Sequence, residues 1–114
     1  MFHKNWEASY AGFPIFMQMY RQKGVPVEEI VRRNTSLVAR HFGIERRGEI
    51  RPGFFADLAV IDLECYHFPT PLEIDYRKPL TMAEGVETVI VNGQKVIDAG
   101  ELIPAYPGRV LKKS

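Results

Sequence analysis

The chain has 114 residues, 15 Lys+Arg against 14 Asp+Glu, and a composition that is 46% apolar and 25% charged. This is one domain of ordinary globular make-up; it is too short for a (β/α)8 barrel, which needs about 250 residues, and its near-zero net charge offers no field for nucleic acid or an anionic membrane surface. No apolar run is long enough to cross a bilayer, Met1 is not followed by the basic and apolar regions of a secretory leader, and the single Cys65 has no partner for an internal disulfide, so a cytoplasmic setting is expected.

The first residues mix His3, Trp6 and Tyr10 with charges at no period and read as a loop or tail. Phe13-Pro14 then opens a predicted helix, with Pro14 in the first turn, where its missing N–H is harmless. Phe13, Phe16, Met17 and Tyr20 recur at helical spacing, Ile15 and Met19 widen the apolar face, and Gly24 stops the helix. A second helix starts at Pro26. Glu28 and Glu29 stand in its first turn and Arg32 and Arg33 in its last, favourable to the helix dipole and spaced i,i+4 for ion pairs. Val27, Ile30 and Val31 are its expected buried stripe. Near Asn34 it ends, and Thr35 is placed to cap a third helix over 36–42, with Leu37, Val38 and Phe42 inward and Gly43 as terminator.

At Gly48 the period changes. Residues 48–53 read as a short extended piece and a turn. The run 56–62 is apolar on both faces, as in a central strand. Residues 65–79, with Pro69, Pro71 and Pro79, form a long connection. A strand over 86–91, the turn Asn92-Gly93 and a return strand over 94–98 make a hairpin of the type I′ kind, with Val89 facing Val96 and Ile90 facing Lys95. Gly100 begins another turn, and Pro107-Gly108 precedes a basic tail ending at Lys112-Lys113. Two or three helices followed by a small antiparallel sheet, without βαβ alternation, define an α+β fold. The expected division is a helical segment over 1–46 and a β segment over 47–114, packed as one compact unit.

Several runs in this order resemble the C-terminal end of metal-dependent amidohydrolases, specifically the D-aminoacylase (N-acyl-D-amino-acid deacylase) branch. They are Asn34-Thr35-Ser36-Leu37-Val38-Ala39-Arg40-His41-Phe42-Gly43-Ile44, Arg47-Gly48-Glu49-Ile50-Arg51-Pro52-Gly53 and Ala56-Asp57-Leu58-Ala59-Val60-Ile61-Asp62. Further on come Glu84-Gly85-Val86-Glu87, Val91-Asn92-Gly93, Val96-Ile97-Asp98-Ala99-Gly100-Glu101-Leu102 and Pro107-Gly108-Arg109-Val110-Leu111. The resemblance implies that the helices end a catalytic barrel and that the strands are half of a composite β-sandwich built from both chain ends. It also implies an amide hydrolase in which one or two divalent metals, usually zinc, activate water.

The ligands such a metal needs have no counterpart in the resemblance. There is no His-x-His, and His3, His41 and His67 are far apart; a hydrolytic zinc takes about three protein ligands and an open position. Cys65-x-His67 with Asp62 and Glu64 is the one local cluster of candidate donors, and its plain alternative is a loop thiol beside a surface histidine. His41 suits a helix C-terminus. Ser9, Ser36 and Ser114 lack a Gly-x-Ser-x-Gly setting, and Gly48 and Gly53 make no phosphate loop. The basic stretch Arg32, Arg33, Arg40, Arg46, Arg47 and Arg51, interrupted by Glu45 and Glu49, reads as a solvated face. No catalytic residue, no metal ligand and no cofactor is therefore assigned to this chain, and zinc is expected of the full-length family.

A half-sandwich exposes unpaired strand edges and one apolar face. The expected partner is accordingly a second copy in a homo-oligomer, or a missing barrel chain, with no nucleic acid and no membrane. Three roles follow: a non-catalytic structural or assembly segment of a D-aminoacylase-like amidohydrolase, a sandwich-completing subunit of a split enzyme, or a small-ligand-binding module.

Overall fold

A computed structural model describes residues 6–67 and 83–112. Three helices come first, α1 (Trp6–Gln22), α2 (Val27–Asn34) and α3 (Ser36–Phe42). Four strands follow, β1 (Leu58–Ile61), β2 (Val86–Val91), β3 (Gln94–Asp98) and β4 (Glu101–Leu102), in one antiparallel sheet of order β1-β2-β3-β4.

Helix α1 begins at Trp6, not at Pro14, which lies inside it. Proline removes one rung of the ladder and strains the turn before it, at a cost of about 3 kcal/mol in a helix interior. Here Pro14 is itself buried, and so is Met17 one turn later, so packing of this face offsets the missing rung. The helix ends as expected at Gly24 (φ 83°), with Val25 N–H donating to Tyr20 O at 3.0 Å.

Pro26 is the N-cap of α2, and its carbonyl accepts from Glu29 and Ile30 at 3.1 and 3.2 Å. The ion pairs differ from simple i,i+4 spacing. Arg32 and Arg33 both close on Glu29, at 2.8 and 2.9 Å, so Arg32 chooses its i−3 neighbour. Thr35 does not cap α3 with its side chain; its hydroxyl turns back to donate to Val31 O at 2.7 Å.

The inward face of α3 is small, not large. Ser36 and Ala39 are buried, while Leu37, Val38 and Phe42 are exposed, Phe42 to 64%. The cause is Gly48, which lies against this face at φ 85°. A Cβ there would stand 2.9 Å from Ala39 Cβ and 3.1 Å from Thr35 O. Only small residues admit so close a backbone. In α2, Ile30 is the buried anchor at 1% exposure, and Val31 lies outside the expected stripe.

Residues 48–53 form bends and a turn without an extended strand. Among the described residues strand β1 lies at the edge of the sheet, where a central place is expected: it pairs with β2 on one side only. The apolar run that suggests a doubly covered strand leaves Ala59 and Val60 exposed. Strands β2 and β3 join through the two residues Asn92 and Gly93, at φ 48° and 79°, with Val91 opposite Gln94 and Ile90 opposite Lys95. A bulge then moves Val89 opposite Ile97, where simple alternation gives Val96. That shift places Ile97 in the core.

The proline-rich connection with Pro69, Pro71 and Pro79 lies outside the described residues. Its flanks are closed by an antiparallel bridge in which His67 and Glu84 exchange backbone hydrogen bonds of 3.2 and 2.8 Å. Among the described residues the buried apolar side chains are Pro14, Met17, Ile30, Ala39 and Ile97. The radius of gyration is 15.3 Å, against about 13 Å for a compact chain of this length.

Candidate functional site

The densest polar arrangement forms where the segment after α3, the start of β1, the hairpin turn and the C-terminal stretch meet. Arg47 donates through Nη1 to Asp57 and through Nη2 to Asn92 Oδ1 at 2.7 Å. The other Asp57 oxygen accepts from the Asn92 backbone N–H at 2.9 Å. Asn92 Nδ2 in turn donates to Pro107 O at 2.8 Å, and Gly93 N–H to Ala56 O at 3.0 Å. The guanidinium of Arg47 also lies over the Phe55 ring, 4.1 Å from its centroid, beside that of Arg46 at 4.9 Å.

The electrostatics follow from this geometry. Partial burial raises the Asp57 carboxyl, but the Asn92 N–H and the Arg47 guanidinium outweigh it and hold the group below the usual carboxylate range. Arg47 is largely covered, with 15% of its side chain exposed. A guanidinium so paired is fixed in place. Beside it runs an open groove of about 580 Å³, lined by Ile44, Phe55, Arg109 and Leu111 among others.

Cys65 and His67 do not converge on a common point. The exposed Cys65 thiol is raised by a hydrogen bond to Asp62, and then by that carboxylate's charge. His67 Nδ1 stands 2.8 Å from Cys65 O, and its Nε2 3.3 Å from Glu84. Among the described residues no three His, Cys, Asp or Glu side chains are grouped to hold a metal ion. Among the described residues, Cys65 and His67 with Asp62 and Glu64 therefore do not fit the zinc that the resemblance implies, since about three donors must converge. His41 stands in the last turn of α3, edge-on to Phe42 at 5.0 Å, Ser36 is buried inside the fold, and His3 and Ser114 lie outside the described residues.

Five of the six arginines of the basic stretch are paired with carboxylates, and Arg46 lies over the Phe55 ring. Arg32 and Arg33 are on Glu29, Arg40 and Arg51 on Glu49 at 3.4 and 2.7 Å, and Arg47 on Asp57. The Arg47–Asp57–Asn92 cluster itself is not foreseen from the sequence. Its signals are Asp57 at the mouth of a strand and an Asn-Gly turn, but nothing in a linear reading joins residues 35 and 45 positions apart.

The model of the amidohydrolase family matches residues 4–97, and the chain belongs to that family. It is similar to the D-aminoacylase of Alcaligenes xylosoxydans xylosoxydans, 34% identical over 89 residues that make up 78% of this chain and 18% of that protein. It is similar also to the N-acyl-D-aspartate deacylase of the same organism, 29% identical over 79% of this chain and 17% of that one. The allantoinase of Rubrobacter xylanophilus is 29% identical over 82% of this chain and 22% of that protein. Among solved structures, D-aminoacylase, described with a binuclear metal centre, superposes with a TM-score of 0.73 at 32% identity, over 89% of this chain and 21% of that one. The chain is thus D-aminoacylase-like, and it spans about a fifth of the length of the relatives it matches.

Proposed function

We propose that this chain is the C-terminal segment of an N-acyl-D-amino-acid deacylase-like amidohydrolase, with a structural and assembly role and no catalysis of its own. The observation that carries this reading is the D-aminoacylase superposition, which takes in nearly all of this chain and a fifth of the enzyme. The Arg47–Asp57–Asn92 cluster supports it: its polar atoms are spent on holding the hairpin to the segment after α3. In this reading residues 1–46 end a barrel, residues 47–114 supply part of a sandwich, and metal and substrate belong to the remainder of the enzyme.

The test is hydrolysis of N-acyl-D-amino acids, with metal analysis, on the chain alone and on the chain co-expressed with a barrel-bearing amidohydrolase polypeptide. We expect no turnover and no stoichiometric zinc for the chain alone. Turnover by the isolated chain overturns the proposal. Activity that appears only on co-expression makes the chain a sandwich-completing subunit of a split enzyme.

The exposed Phe13, Phe16 and Met19 on α1 and the edge of β1, unpaired among the described residues, favour a covered state, either a homo-oligomer or a complex with that barrel chain. Sedimentation of the purified chain tests this. A species of twice 13.1 kDa or larger is expected, and a stable monomer rules out self-association.

A further inference from the structure

We propose that Asn92 is a site of slow deamidation, restrained by the fold, whose conversion frees the C-terminal strap of residues 107–112 from the hairpin. Asparagine followed by glycine is chemically the most prone pair, because glycine has no Cβ to shield its backbone nitrogen. Gly93 is exposed, so hydroxide and water reach that nitrogen.

In the reaction Gly93 N loses its proton to base and attacks Asn92 Cγ. The new N–Cγ bond closes a five-membered succinimide, the Cγ–Nδ2 bond breaks, and the nitrogen leaves as ammonia. Water then adds to one of the two imide carbonyls. Opening at one gives aspartate, and opening at the other gives isoaspartate, with the main chain rerouted through the side chain. No oxidant or reductant takes part.

Three hydrogen bonds oppose the first step. The carboxamide whose Cγ takes the attack is held by the Arg47 bond to Oδ1 at 2.7 Å, and its leaving nitrogen by the Nδ2 bond to Pro107 O at 2.8 Å. The attacking nitrogen is itself engaged by Ala56 O at 3.0 Å. Reaction therefore waits on a local opening of this junction.

The product cannot restore what is lost. In an aspartate the atom replacing Nδ2 is an acceptor, and it faces the Pro107 carbonyl, which is also an acceptor. In an isoaspartate an extra backbone carbon enters a two-residue turn whose residues stand at φ 48° and 79°. Either way the tether between hairpin and strap is gone.

The test follows the 114-residue chain at 37 °C and mildly alkaline pH, reading the one-dalton mass gain and the isoaspartate content of the peptide carrying Asn92. The folded chain should convert about tenfold or more slowly than the same chain unfolded in guanidinium, as expected for a step behind several hydrogen bonds. Arg47→Ala should convert several times faster than wild type. A chain ending at Tyr106, which lacks the Pro107 carbonyl, should do the same and serves if Arg47→Ala does not fold. Trypsin should cut after Arg109 faster in converted than in unconverted protein. Equal rates for folded and unfolded chain, a folded variant no faster than wild type, or unchanged cleavage at Arg109 overturns the proposal.

Discussion

Arg47 and Asp57 form an ion pair that fastens the segment after α3 to the mouth of β1, with Asn92 of the hairpin as its third member. Asp57→Asn should lower stability by about 1–2 kcal/mol, the scale of a partly exposed charge-assisted hydrogen bond. The urea midpoint should fall with an unchanged slope. The pH dependence has a fixed sign. The folded carboxyl lies below its unfolded value of about 3.9, so its contribution is complete above that value and is lost as pH falls through the folded one. The wild-type midpoint should therefore drop more steeply below about pH 4 than that of Asp57→Asn.

Gly85 and Gly93 should answer alanine differently. At Gly85 (φ 82°) a Cβ would stand 2.6 Å from both Cys65 C and Tyr66 N, backbone atoms that cannot step aside. Gly85→Ala should cost about 3 kcal/mol or more. At Gly93 (φ 79°) nothing lies within 4 Å of the added carbon, so Gly93→Ala should cost only the left-handed backbone, about 1 kcal/mol. Thermal melts of the two variants distinguish them.

The packing of α2 and α3 predicts a second contrast. Ile30→Ala empties the most deeply buried site and should destabilise by about 2–5 kcal/mol. Phe42→Ala removes a larger side chain, but one that is 64% exposed, and should shift stability by about 0.5 kcal/mol or less. If α3 buried its large residues, the order would be reversed in chemical unfolding.

Cys65 is exposed, yet its thiol should be sluggish. Asp62 accepts a hydrogen bond from the S–H and repels the thiolate, which raises the thiol's pKa above the ordinary range. Alkylation by iodoacetamide near pH 8 should be slower than that of glutathione. Asp62→Asn should speed it at pH 8, and the ratio of the two rates should shrink as pH rises and the wild-type thiol ionises as well.

The helix stops at Gly24 and Gly43 and the placing of Pro26 are local chemistry, and they are legible in a single sequence. Local signals mislead where a distant backbone decides. Pro14 reads as a helix start because nothing in the linear order shows that its ring is buried. Leu37, Val38 and Phe42 read as the inward face of α3 because hydropathy favours them. Gly48, nine residues beyond Ala39, presses its backbone onto the small face instead. The run 56–62 is apolar enough for a central strand, but its place at the sheet margin depends on what else is present to pair. The candidate cluster is similarly hidden: Arg47, Asp57 and Asn92 each stand in a recognisable motif, and only the folded chain makes them neighbours.

Strand β1, with one side unpaired among the described residues, has a practical consequence for anyone handling this molecule. Backbone groups left without a ladder partner form a template onto which an extended segment of any neighbouring copy can dock. Concentrating the chain should therefore favour ribbon-like aggregates, and Val60→Lys on this strand should suppress them.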